Sequence, residues 1–115
     1  MSSRTIEKAL SKKAMQRILD FCIRLTDPES IILFGSYAKG TQNVFSDIDI
    51  LVITQYKLHN RVSTERQIKL FIHELGLNSD ILIYDSNQFQ KASKDPLSFL
   101  GSISKEGLVI YDKNA

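Results

Sequence analysis

Residues 47–54 read DIDILVIT. On a β-strand successive side chains alternate between faces, so Ile48, Ile50 and Val52 line one side and Leu51 and Ile53 the other. A segment apolar on both sides needs cover, and its β-branched content favours a strand. Short apolar stretches of the same kind recur at 30–35 (SIILFG), 80–84 (DILIY) and 107–112 (GLVIYD). Strands this short and apolar require helices over at least one face of their sheet.

The segments between them carry helical spacing. Met15, Ile18, Leu19, Cys22 and Leu25 fall at steps of three and four, which predicts an amphipathic helix stopping before Asp27-Pro28. Ile68, Phe71, Ile72 and Leu75 mark another, ended by Gly76. Asp95-Pro96 reads as the N-cap and first residue of a further helix. Phe89, Leu97, Phe99 and Ile103 around it read as core. The resulting order, helix–strand–short helix–strand–helix–strand–helix–strand, predicts one α/β domain over residues 1–115 with a mixed sheet of about four strands.

Composition narrows the partners. With 115 residues, 43% hydrophobic and 24% charged, the chain can bury one core. Fifteen basic against thirteen acidic side chains (net +2) leave no polybasic footprint, so charge neither suggests nor excludes nucleic acid, which is not the main partner expected. No apolar run reaches the roughly 18–20 residues of a membrane span. The N-terminal MSSRTIEKALSKKAMQRILDF is Ser- and Lys-rich, as transit peptides are, but its apolar spacing makes it a better first helix of the domain. The single cysteine, Cys22, excludes an intramolecular disulfide and points to a reducing, cytoplasmic setting. Its place on an apolar helix face reads as an inert buried thiol.

Two acids interrupt the apolar strand. Asp47 and Asp49 project to the same face, with Cα atoms roughly 6.5–7 Å apart. Like charges so placed repel and lose solvation, which raises their pKa unless a cation compensates. Mg²⁺ is the natural compensation, held by one or two carboxylates together with substrate phosphates. A solvated strand start that caps the preceding turn is the plain alternative for a lone D-x-D.

Twelve residues before Asp47 stands Gly35, followed by Ser36 and a short helical turn, YAKG. Backbone N–H groups at such a turn bind anions, and glycine permits close approach of a phosphate. Ser36 as an ordinary N-cap is again the plain alternative. Gly35 and Gly40 have the four-residue gap of a P-loop, but Thr41-Gln42 follow in place of its lysine, so that reading fails.

Taken together, Gly35-Ser36, ten residues, then Asp47-x-Asp49 resemble the G-S-x10-D-x-D signature of the nucleotidyltransferase superfamily related to DNA polymerase β. The wider string LFGSYAKGTQNVFSDIDILV is similar to its minimal nucleotidyltransferase (MNT) branch. The resemblance extends over nearly the whole chain and implies the nucleotidyltransferase fold. It implies a third acid on the next strand, which NSDILIYD supplies as Asp80. Asp85, at the far end of that strand, competes for the role, but it is expected on the opposite face and reads as the start of the next turn.

On this resemblance Asp47, Asp49 and Asp80 are the catalytic and metal-binding carboxylates, holding two Mg²⁺ ions. Gly35, Ser36 and Lys39 bind the phosphates of a nucleoside triphosphate, ATP by expectation. Asp80 also serves as general base. Many relatives carry arginine where Lys39 stands; lysine keeps the charge but lacks the bidentate fork. Tyr37 is expected to pack against the sheet.

The implied reaction is transfer of AMP to a hydroxyl. MNT proteins are typically encoded beside a helical HEPN-type protein, and some act as antitoxins that AMPylate a tyrosine of that toxin. With no second domain expected, the acceptor site comes from a separate protein or from self-association. Two other readings stand beside this one: transfer to a small-molecule hydroxyl, and a non-catalytic module binding nucleotide or partner. His59 and His73 lack metal-ligand spacing, and Arg61, Arg66 and Lys69 read as a solvated helix face.

Overall fold

The computed structural model describes residues 11–43 and 46–115. Helix α1 (Lys12–Thr26) begins at Ser11, whose hydroxyl accepts the Ala14 N–H at 3.1 Å. It ends at Asp27, whose left-handed backbone (φ 46°) turns the chain into Pro28, as the sequence predicts. The part of the expected first helix that falls on residues 1–10 lies outside the described residues.

Strand β1 (Pro28–Phe34) follows, then the short helix α2 (Gly35–Lys39), β2 (Ile48–Thr54), α3 (Arg61–Glu74) and β3 (Ser79–Asp85). Two consecutive helices, α4 (Ser86–Ser93) and α5 (Phe99–Glu106), precede the last strand, β4 (Leu108–Asp112). The sheet order is β3-β2-β1-β4. β1 lies antiparallel to both β2 and β4, whereas β2 and β3 run parallel, joined through α3. The sheet is therefore mixed, in an α/β domain.

The two-sided pattern of DIDILVIT places β2 inside the sheet, buried on both faces. Ile48, Ile50 and Val52 join Ile31, Leu33, Ile81 and Ile83 beneath α1 and α3, which contribute Ile18, Cys22, Ile68 and Ile72. Leu51 and Ile53 join Ile32 on the opposite face, covered by Leu100 and Ile103 of α5. Helices thus cover both faces. Each fully buried aliphatic side chain contributes about 1.5–3 kcal/mol by leaving water, and β2 supplies residues to both cores.

One expected boundary is wrong. Asp95-Pro96 does not open a helix; it forms the turn between α4 and α5, where the Asp95 carboxylate accepts the Leu97 N–H at 2.9 Å. The cap of α5 is Ser98, whose hydroxyl accepts the Gly101 N–H at 2.9 Å. An Asp-Pro pair serves an Asx-type turn as readily as an N-cap, and only the packing of the following residues separates the two. As a result Leu97 and Phe99 are not core: they are 94% and 59% exposed. Ile103 is buried and Phe89 packs partly against the core, as expected.

The additional helix, α4, starts at Asp85. Its carboxylate accepts the Gln88 N–H at 2.9 Å while Gln88 reaches back to the Asp85 N–H, a capping box. Asp85 therefore begins the next element, as read from the sequence. Among the described residues no helix is long and apolar enough to cross a membrane.

Candidate active site

Register brings the acids together. In the parallel ladder Asp49 is the partner of Asp80, and in the antiparallel ladder it is the partner of Phe34, the residue before Gly35. Asp49 shares its face with Leu51 and Ile53, and Asp80 shares the same face with Leu82. Asp47 lies two residues upstream of Asp49, where the chain enters β2. Three carboxylates and the Gly-Ser turn thus meet at one end of the sheet.

Gly35 is required by that meeting. Its φ of 72° lies in the left-handed region, and a Cβ built on it would overlap Asp49 Oδ2. Only glycine lets the backbone pass this close to the carboxylate. Ser36 is not the N-cap of α2: the helix starts at Gly35, with Phe34 as its cap residue and no side-chain cap hydrogen bond. The Ser36 hydroxyl is therefore not spent on capping α2, and the first N–H groups of this turn receive no side-chain acceptor from the cap residue. Gly40, left-handed at φ 72°, closes the turn by donating its N–H to the Ser36 carbonyl.

The electrostatics match this crowding. The half-buried Asp49 carboxyl is pushed up to about 6 from an ordinary 3.8, first by burial, then by the charges of Asp80 and Asp47. Asp47 and Asp80 themselves are exposed. The Tyr37 phenol is also raised, by burial and then by Asp47, and its ring packs against the core under α1 and α3. Packing is thus its observed role.

Lys39 pairs with α5 and not with the three acids. Its ammonium lies 3.6 Å from Glu106 of α5, with both side chains more than half exposed. An exposed pair of this kind holds by about 0–1 kcal/mol, so a phosphate can displace Glu106 at little cost. His59, Arg61, Arg66, Lys69 and His73 are all exposed, and Arg61 lies 5.7 Å from the centre of the Tyr84 ring.

The acid cluster fits Mg²⁺ by its chemistry. Its donors are carboxylate oxygens, the ligands hard divalent cations take, and the raised Asp49 marks the burial and like-charge repulsion that a cation would offset. Among the described residues no group of three or more His, Cys, Asp or Glu side chains is itself placed to hold a metal ion. An open carboxylate set is what Mg²⁺ shares with substrate phosphates.

What the sequence missed lies next to Gly35. A cleft of about 160 Å³ runs between α2 and α5, lined by Phe34, Gly35, Lys39, Phe99, Glu106 and Gly107 among others. Placing the start of α5 at Asp95-Pro96 hid it, because that boundary assigns Phe99 to the core.

Comparison with known proteins agrees with this geometry. The family described as Polymerase beta, Nucleotidyltransferase matches residues 16–115, and the chain belongs to it. It is a nucleotidyltransferase by family. A protein of Methanocaldococcus jannaschii, named provisionally as a protein adenylyltransferase, is 30% identical, over 91% of this chain and 77% of its own length.

Two solved complexes share the fold. One is a tri-AMPylated HEPN toxin of Shewanella oneidensis with its MNT antitoxin, at 17% identity and TM-score 0.58 over 91% of this chain and 75% of the other. The second is a toxin–antitoxin structure with AMP-PNP, at 23% identity and TM-score 0.56 over 90% of this chain and 75% of the other.

Proposed function

We propose that this nucleotidyltransferase uses Mg²⁺ and ATP to transfer AMP to a hydroxyl of a partner protein, a tyrosine of a HEPN toxin, and so acts as its antitoxin. The observation that carries the reading is the in-register pair Asp49 and Asp80 beside Gly35, with Asp47 two residues away. The name of the archaeal relative and the AMPylated toxin in the similar complex support the acceptor class. The AMP-PNP of the other complex supports ATP as donor.

In this reading the backbone of Gly35 and the Ser36 hydroxyl donate hydrogen bonds to the β- and γ-phosphates and keep pyrophosphate in line as leaving group. Asp47, Asp49 and Asp80 would hold two Mg²⁺ ions, which when bound neutralise phosphate charge and polarise the phosphoryl oxygen. Asp80, an exposed acid on the edge strand, accepts the proton of the attacking hydroxyl as the hydroxyl oxygen bonds to the α-phosphorus. The bond from that phosphorus to pyrophosphate breaks in the same displacement. Lys39, released from Glu106, adds positive charge on the leaving-group side.

The test is incubation with Mg²⁺, each of the four nucleoside triphosphates and the protein encoded by the neighbouring gene. Mass spectrometry of that protein should record added nucleotide with the wild type and none with Asp47→Asn or Asp49→Asn. Equal modification by wild type and both variants would refute the role of the acids.

A further inference from the structure

Phe99 is the large aromatic that sequence patterning assigns to the core and the fold leaves 59% exposed. It stands at the start of α5 with its ring edge-on to Phe34, centroids 5.8 Å apart at an interplanar angle of 84°. That contact fixes the ring while leaving surface free. The cleft it lines includes Gly35, the residue whose Cα abuts the Asp49 carboxylate. A ligand group in the cleft is therefore separated from the acids by the thickness of one glycine backbone.

We propose that the cleft between α2 and α5 receives the nucleoside of the donor triphosphate, with Phe99 as the surface on which the base stacks. This rests on the reading of Gly35-Ser36 as the phosphate turn. Two features favour the donor's nucleoside over the acceptor. The cleft's lining is mixed, with Phe34, Phe99 and Ile103 for a planar apolar ring and Ser102, Glu106 and Lys39 for polar edges. Glu106 also gives the cleft a carboxylate acceptor, suited to an exocyclic amine.

The experiment compares binding of AMP-PNP and of inorganic tripolyphosphate, both with Mg²⁺, by calorimetry on wild type, Phe99→Ala and Phe99→Trp. The ring is mostly exposed, so the variants should fold; circular dichroism checks this. The expected result is tighter binding of AMP-PNP than of tripolyphosphate by wild type. Phe99→Ala should weaken AMP-PNP binding roughly five- to a hundred-fold and leave tripolyphosphate unchanged, and Phe99→Trp should restore AMP-PNP affinity. Equal binding of AMP-PNP by wild type and Phe99→Ala overturns the inference and leaves the phosphate turn standing. So does a Phe99→Ala variant that binds AMP-PNP normally yet no longer modifies the acceptor, because the cleft then belongs to the acceptor. Absence of binding of either ligand to wild type overturns both the phosphate turn and the cleft assignment.

Discussion

Replacing Asp49 by asparagine should make the folded protein more stable while abolishing its chemistry. The folded state raises this carboxyl from 3.8 to about 6 through burial and the charges of Asp80 and Asp47. A pKa raised on folding means that folding favours the protonated form. The associated stability is fully present below about pH 3.8 and is lost as pH rises through about 6. In a closed interior that rise would correspond to about 3 kcal/mol. The carboxyl is only half-buried, so solvent screening reduces the figure to about 1 kcal/mol at neutral pH.

Asparagine keeps the shape and removes the charge. The assay is urea unfolding of wild type and Asp49→Asn at steps from pH 4 to pH 8. The variant should gain about 1 kcal/mol above pH 6, roughly 4 °C in Tm, with the difference vanishing toward pH 4. Adding Mg²⁺ at pH 7.5 should stabilise wild type more than the variant, because the cation relieves the same repulsion. A variant no more stable than wild type at pH 7.5, or a gain that persists unchanged at pH 4, would refute the reasoning.

Gly35→Ala should separate function from folding. The left-handed backbone costs about 1–2 kcal/mol, and the new methyl displaces the end of a flexible carboxylate, so the protein still folds. Displacing Asp49 should lower transfer by about 100-fold, measured beside a urea melt. Asp85→Ala, at the far end of β3, should cost about 1 kcal/mol by removing the α4 cap and leave AMP-PNP affinity unchanged in calorimetry. Cys22, its thiol pushed up to about 12 by burial, should resist a thiol reagent at pH 8 until the protein is unfolded.

The site was more legible in the sequence than its surroundings. Asp49 and Asp80 each stand at the start of an apolar run whose pattern fixes the strand and its facing, so their placement follows from local periodicity, whereas Asp47, read as the first residue of its strand, falls just before β2. That Asp49 and Asp80 are register partners does not: it depends on how far β3 slides along β2, which α3 and the shared core decide. The need for glycine at position 35 is equally invisible locally, since it arises from contact with a side chain fourteen residues on. Asp95-Pro96 misled because both a turn and a cap satisfy its local preferences. The difference lies in Ser98, whose hydroxyl also donates to the Ala92 carbonyl at 2.7 Å and ties α5 back to α4. Once that tie sets the helix start, Phe99 turns outward toward Phe34.

Asp80 rides on β3, the outer strand of its side of the sheet. Beyond its ladder with β2, β3 is braced by the Glu65 carboxylate of α3, which accepts the Ile83 N–H at 2.9 Å. Such a margin is where native proteins open locally without unfolding globally. Peeling β3 away would carry off Asp80 while Asp49 stayed on interior strand β2 and Gly35 stayed at the end of interior strand β1, so the assembled site reports on the closure of one border. Ligand binding should then slow hydrogen exchange of the β3 amides more than those of β1, and Glu65→Ala should speed exchange at Ile83 in the free protein. The working state of this small domain is, in that sense, a property of the border strand that carries Asp80.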